Sequence, residues 1–468
     1  MAASGITDQT TLVDRLLFWR DQQGDTDAFV FYDSNIKRFA LTRKELVDLA
    51  SRFAYILKSS GIGHHDVVAN TLSNSLERVV TDMGIILAGA APINAIPSLT
   101  SGEVFFSTSR RSEAKAVIIY PCASDNSDWK LIKEGIDDAA QYSDAKSGKK
   151  GAATVNENKE RDSTYKGLIF DYRSERAPTL KKAVLISRCS SWQRQELPEV
   201  PNFLQFLQEQ PEKNSYVEKA VIPTDNGFLF TTTGTTGMQK IVPRSHSLLL
   251  KLSTVMSQMS PGTLPAMFYT TNLGWNSGFP FMFYLFGSTI MMIDELDAPE
   301  NVEHEVINTD LKAPLDLIKK NEEKESKENG NAVALKRPEV KNIYAEKSLK
   351  DQLVLYDRYW CIMKKERIRF AYLSPDEITG MAAAAEATAG GGGGESREKL
   401  LLVVTGGLPI KHCIVSSALK SVSHAITIGY GMTEAVDGKQ VEAWRSTKGT
   451  EKTGLYVRGI ISKKVCRT

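Results

Sequence analysis

The sequence predicts an α/β fold in which helices cover a largely parallel sheet, and three observations carry that prediction. Segments with apolar residues at helix spacing alternate along the chain with short, continuous apolar runs. A hydroxyl- and glycine-rich stretch lies between two of those short runs, as a loop between strands does. The 468 residues are 42% hydrophobic and 24% charged, enough apolar material for a sizeable core and two or three domains or subdomains.

Thr42-Arg43-Lys44-Glu45-Leu46 opens a helix in which Leu46, Leu49, Phe53, Ile56 and Leu57 recur at helix spacing until Gly61. Asp66-Val67-Val68-Ala69 reads as a strand. A second helix runs through Leu76, Val79, Val80, Met83, Ile86 and Leu87 to Gly89-Ala90-Ala91-Pro92, and Ile93-Asn94-Ala95-Ile96-Pro97 is extended. Thr100-Ser101-Gly102-Glu103-Val104 looks like a capped helix start, and Ala116-Val117-Ile118-Ile119-Tyr120 like a buried strand. Val184-Leu185-Ile186-Ser187 is a further core strand, and Asn202 to Gln210 a short amphipathic helix. Tyr356 to Met381 reads as helix, strand and a second helix started by Pro375, after which Leu400-Leu401-Leu402-Val403-Val404 is a buried strand.

Three stretches lack a core pattern and are expected as flexible inserts: 144–166, 319–351 and 382–399. The first is rich in Lys, Gly, Asn and Glu, the second interleaves charges of both signs, and the third combines an alanine run with Gly390 to Gly394.

The stretch most specific for chemistry is Phe230-Thr231-Thr232-Thr233-Gly234-Thr235-Thr236-Gly237-Met238-Gln239-Lys240. Glycines free the backbone to turn N–H groups toward an anion, the hydroxyls of Thr232, Thr233, Thr235 and Thr236 add donors, and Lys240 adds a positive charge. It is not a Walker A loop, because Lys240 follows Gln239 and precedes Ile241. By itself it reads either as a phosphate cradle or as a Thr/Gly-rich turn that binds nothing.

Bulk properties narrow the partners. With 58 basic and 56 acidic residues, net charge +2, no global field draws the chain to nucleic acid or an anionic membrane. The five cysteines are odd in number and scattered without metal-type spacing, which fits a reducing compartment. No secretory signal is visible, so a cytoplasmic or otherwise intracellular location is expected. Ser277 to Ile293 is apolar enough to raise a membrane span, but Pro280, Gly287, Ser288 and Thr289 interrupt it, so a buried helix followed by a core strand is expected. His246 reads as structural, and His64, His65, His304, His412 and His424 form no metal-ligand spacing.

The Thr231 to Lys240 stretch resembles the phosphate-binding motif of the AMP-forming adenylating superfamily, which includes acyl-CoA synthetases, luciferases and peptide-synthetase adenylation domains. Gln239 stands where the family usually has proline and Ile241 where it has glycine; Ser245-His246 again matches. Leu41-Thr42, Ala88-Gly89-Ala90-Ala91-Pro92-Ile93-Asn94 and Pro97-Ser98-Leu99-Thr100 follow the family's N-terminal pattern. Thr405-Gly406-Gly407-Leu408-Pro409 resembles its glycine-rich turn, and Ile428-Gly429-Tyr430-Gly431-Met432-Thr433-Glu434 its later nucleotide motif. Asn272-Leu273-Gly274-Trp275 resembles a segment lining the acyl pocket of short- and medium-chain synthetases, with Asn272 where aspartate is often found. Trp275 reads equally as a core aromatic.

The resemblance implies two helix-covered, mostly parallel sheets with a β-barrel-like subdomain. It assigns ATP to Thr232, Thr233, Gly234, Thr235, Thr236, Gly237 and Lys240, with Gly406, Gly407, Tyr430 and Gly431 beside adenine, Thr433 on the α-phosphate and Glu434 on Mg2+. Lys240, Thr433 and Glu434 would be the catalytic set, and Trp275 would line the acid's pocket. The implied reaction joins a carboxylic or fatty acid to ATP and passes the acyl group to coenzyme A; the alternative is an inactive nucleotide-binding or scaffold protein. Residues 1–468 would be the AMP-binding large domain, incomplete at its C-terminal end, with the barrel unfinished and the small lid domain with its lysine absent. Open strand edges such as Tyr456-Val457-Arg458 would then favour self-association.

Overall fold

The computed structural model describes residues 6–94, 102–121, 127–146, 168–188, 200–232, 239–257, 265–295, 349–389, 398–406, 410, 412–430, 440–445 and 454–458. Its strands are β1 (Asp27–Tyr32), β2 (Arg38–Thr42), β3 (Val67–Asn70), β4 (Ala91–Asn94), β5 (Ala116–Ile119), β6 (Ile169–Asp171), β7 (Lys182–Leu185) and β8 (Asn226–Thr232). They continue as β9 (Lys240–Ser245), β10 (Ala266–Tyr269), β11 (Thr289–Ile293), β12 (Phe370–Tyr372), β13 (Leu402–Gly406), β14 (Ala425–Tyr430), β15 (Gln440–Arg445) and β16 (Gly454–Arg458). These strands belong to two mostly parallel sheets with helices between them in sequence, the α/β architecture expected.

The chain divides into two compact units, the first made of Met1–Asp33, Arg38–Thr263 and Asn272–Asp297. It contains a seven-stranded sheet in the order β6-β7-β5-β3-β4-β8-β9. The five inner strands are parallel, and β6 and β9 close the edges antiparallel. Inner strands of this kind are buried on both faces, which is why Val117, Ile118, Val184, Leu185, Leu229 and Phe230 sit in apolar runs rather than alternating with polar residues. The same unit pairs β1 with β2 antiparallel and with β11 parallel.

Its helices start where their caps dictate. Thr42 and Glu45 form a reciprocal capping box on Arg43–Ser59, and Ser75 caps Leu76–Leu87 through the Arg78 N–H. Thr11 and Asp14 form a second box on Leu12–Gln23. Phe281–Phe286 is a short buried helix that runs into β11, so the apolar stretch that raised a membrane span folds into the core instead. Among the described residues no helix is long and apolar enough to cross a membrane.

The second unit comprises Ser34–Lys37, Leu264–Thr271 and Ala298–Thr468. Strands β10, β12, β13 and β14 run parallel in that order, and β15 and β16 follow antiparallel. Helices Leu349–Lys365, Pro375–Ala389 and His412–Ser421 accompany them. No closed barrel is present among the described residues: β15 and β16 extend the strand run as an antiparallel edge rather than curling into a separate subdomain.

The expected inserts need correction at their edges. The helix Pro375–Ala389 continues eight residues into the stretch read as a linker, with Ala382, Ala383 and Ala384 buried. Alanine is the strongest helix former and buries without entropic cost, so its run extends a helix whose neighbours supply the core. Likewise the helices Ser127–Lys146 and Leu349–Lys365 take up the first and last residues of the other two stretches, because a polar helix and a polar loop share a composition. The remainder of all three, apart from Glu398-Lys399, lies outside the described residues.

Candidate functional site

The hydroxyl- and glycine-rich stretch leaves the C-terminal end of β8, beside the C-terminal end of the parallel strand β4, where Ile93 pairs with Leu229. Ligands bind at this edge of open α/β sheets. Beneath it the strand is firmly seated: Phe228 and Phe230 stack at 4.6 Å between ring centroids, and both meet Phe279 edge-on. Thr232 and Lys240 are register partners across the antiparallel β8–β9 pair, so the loop begins and ends at one rung. Thr232 is half-buried and Lys240 exposed, while Thr233, Gly234, Thr235, Thr236 and Gly237 lie outside the described residues. Arg111, at the end of the helix Gly102–Arg111, donates from Nη1 to the Gln239 carbonyl at 2.6 Å. Nothing in the sequence links Arg111 to this loop; only the sheet order brings them together.

The Asn272–Trp275 turn belongs to the same unit and is held by a buried polar network. Leu273 N–H donates to Asn74 Oδ1 at 2.9 Å, and a Cβ on Gly274 would stand 2.2 Å from Asn94 Cγ and 2.6 Å from Arg78 Nη2. Only glycine permits that approach. Arg78, fully buried, donates to Asp82 Oδ2 at 2.7 Å and to the Leu72 carbonyl at 2.5 Å, and Asn70 Nδ2 donates to Asp82 Oδ1 at 2.8 Å. Burial pushes the Asp82 carboxyl up, against the pull of Arg78 and Asn70. Trp275 is 46% exposed, which rules out the core-aromatic reading and leaves its ring at the surface beside the anchored turn.

In the second unit, Gly406 ends β13 and pairs with Gly429 of β14, one residue before Tyr430. A Cβ at Gly406 would lie 2.4 Å from the Gly429 carbonyl oxygen, so the two backbones approach as closely as glycine allows. The structure thus brings Gly406 and the Tyr430 backbone to neighbouring strand ends. Thr405 Oγ1 is buried there with no hydrogen-bond partner among the described residues. Gly407, Gly431, Thr433 and Glu434 lie outside the described residues.

Three histidines of the first unit divide into two kinds. His246 is buried, its Nδ1 accepts from the Leu12 N–H at 3.2 Å, and burial lowers its pKa to about 4, so it stays neutral as a structural acceptor. His64 and His65, which form no metal-ligand spacing in the sequence, are brought against Asp225, about 160 residues further along the chain. Sequence spacing is blind to a cluster assembled by the sheet.

A family model described as AMP-binding enzyme matches residues 18–310. The chain is 36% identical over 85 residues to a probable CoA ligase, CCL9, of Humulus lupulus, a match spanning 18% of this chain and 16% of that protein. Among solved structures it is similar to the anthranilate CoA ligase AuaEII in complex with anthranoyl-AMP, with a TM-score of 0.57, 14% identity, and coverage of 93% of this chain and 62% of that one. It is also similar to the N-terminal domain of FACL13 from Mycobacterium tuberculosis, with a TM-score of 0.56, 16% identity, and coverage of 92% and 78%. The chain thus spans less than two thirds of the length of the first two relatives. The structural likenesses concern the fold, whereas the family model covers well over half of the 468 residues. The chain belongs to the AMP-binding enzyme family.

Proposed function

We propose that this chain is an adenylating acid–thiol ligase. A carboxylate oxygen attacks the α-phosphorus of ATP and pyrophosphate leaves; the thiol of coenzyme A then attacks the acyl carbon and AMP leaves. The observation that carries the reading is the Thr232–Lys240 rung closing a hydroxyl- and glycine-rich loop at the C-terminal end of a parallel strand, in a chain of this family. The CoA-ligase names of CCL9 and AuaEII support the second step.

The donor set fits a polyphosphate. Thr232 offers a hydroxyl, Lys240 a compact positive charge, and the loop backbone N–H donors; together they would stabilise charge developing on the leaving pyrophosphate. Arg111 would act on the loop rather than on the nucleotide, fixing its exit through the Gln239 carbonyl. Thr233, Gly234, Thr235, Thr236 and Gly237 complete the proposed cradle, and Thr433 would hold the α-phosphate.

Gly406, Gly407, Tyr430 and Gly431 would take the adenine, a planar base lying against exposed glycine backbone and an aromatic face. Glu434 would hold Mg2+, a hard dication suited to carboxylate oxygen that neutralises phosphate charge when bound. Trp275 would flank the acid, its surface ring covering an apolar tail, on a turn fixed by Gly274, Asn74 and Arg78. The test is to incubate the chain with Mg-ATP, coenzyme A and a panel of fatty, aryl and amino acids and assay thioester by chromatography. Thioester from one acid class supports the ligase; nucleotide binding without any acyl transfer points to a nucleotide-binding protein.

A further inference from the structure

The end of the seven-stranded sheet remote from the Thr232–Lys240 loop carries side chains that adenylation leaves unused. The turn Gly63 to Asp66 leads into β3, and Asp225 immediately precedes β8. His64 Nε2 lies 2.9 Å from Asp225 Oδ2, and His65 Nδ1 lies 3.8 Å from Asp225 Oδ1. One ligand atom from each residue lies within 4.8 Å of the others. From these distances and this chemistry, we propose that His64, His65 and Asp225 form a site for one divalent transition cation of the zinc class.

The donor set selects the ion. Two imidazole nitrogens and one carboxylate oxygen suit zinc, nickel or copper, with water filling the remaining positions, and suit magnesium poorly. Adjacent ligands around a tetrahedral zinc stand roughly 3.3 Å apart, given metal–ligand distances of about 2 Å. The most widely separated donors therefore need to close by up to about 1.5 Å. The His64 and His65 rings stack at 3.8 Å with planes 24° apart, so one ring must turn for both to point at a shared ion. The His65 side chain is 68% exposed and can make that turn, whereas His64 and Asp225 are largely buried and form the fixed part of the site.

The backbone supports the assignment. Asp66 N–H donates to the Gly63 carbonyl at 2.9 Å, closing a tight turn with His65 at its third position and φ at 68°. Glycine or asparagine is the usual occupant of that left-handed position, so histidine stands there against a conformational cost. Asp225 Oδ2 is already used by the Ile222 N–H at 2.9 Å as well as by His64, which aims the other oxygen at His65. A strand of seven residues, about 23 Å long, separates Asp225 from the start of the loop, so this ion would staple the turn before β3 to the entry of β8 and take no part in adenylation.

The proposal is independent of the ligase reading, and calorimetric titration of the full chain with zinc chloride at pH 7.5 tests it. The parent is expected to take up one zinc that His64→Ala, His65→Gly and Asp225→Asn each bind at least about tenfold more weakly. His65→Gly suits the left-handed backbone, so in chelator it should unfold at or above the parent's temperature, which separates ligand loss from fold loss. No zinc uptake by the parent, uptake unchanged in His65→Gly, or equal binding of magnesium chloride would overturn it.

Discussion

Thr232 and Lys240 face each other across the β8–β9 pair, so the segment richest in anion donors is pinned at both ends by one rung of the sheet. Because Lys240 is exposed, Lys240→Ala should leave the unfolding temperature nearly unchanged, within about 0.5 kcal/mol. A charge-assisted hydrogen bond to phosphate contributes about 1.5–3 kcal/mol, so the same variant should bind Mg-ATP at least about tenfold more weakly. Calorimetry beside thermal unfolding checks both halves.

Gly406 should tolerate no side chain. A Cβ 2.4 Å from the Gly429 oxygen forces β13 and β14 apart, and Gly406→Val should cost about 1–3 kcal/mol. Thermal unfolding would show this as a drop of several degrees, and an unchanged midpoint would contradict the close approach.

Two adjacent residues should behave oppositely. Gly274→Ala drives a methyl into Asn94 and Arg78 and should destabilise the first unit, while Trp275→Ala, at a residue 46% exposed, should leave stability within about 0.5 kcal/mol. If Trp275 flanks the acid, its removal shifts the acid preference in the thioester assay. Equal stability losses from both variants would contradict the anchored-turn geometry.

His246 makes stability depend on pH. Its pKa is about 4 in the fold against about 6.5 for a free imidazole, so the unfolded chain binds the proton first as pH falls. Its contribution is therefore constant above about pH 6.5 and falls between 6.5 and 4, with about 2 kcal/mol lost by pH 5. Denaturant unfolding at pH 7 and pH 5 should show that loss in the parent and a smaller one in His246→Gln.

The sequence made local structure legible where local chemistry decides it. Thr42 and Glu45 cap their helix as the pattern reads, β8 and β9 stand where the apolar runs put them, and Pro375 starts its helix. The Ala382 to Ala384 run reads as linker because alanine gives low complexity, yet it buries well beside a neighbouring helix. Arg111 on the Gln239 carbonyl and Asp225 against His64 and His65 were illegible, since each contact joins elements that are neighbours only in the folded sheet. Gly274 was visible as a motif letter, but the reason for it, Asn94 and Arg78 beneath its backbone, is tertiary.

The most direct test of the adenylation claim is exchange of labelled pyrophosphate into ATP by the full chain, with magnesium and each acid of the panel in turn. Exchange reports the first chemical step and needs no coenzyme A. The account predicts exchange that requires both magnesium and one class of carboxylic acid and that falls at least about a hundredfold in Lys240→Ala. Exchange absent with every acid, or undiminished in Lys240→Ala, would contradict it.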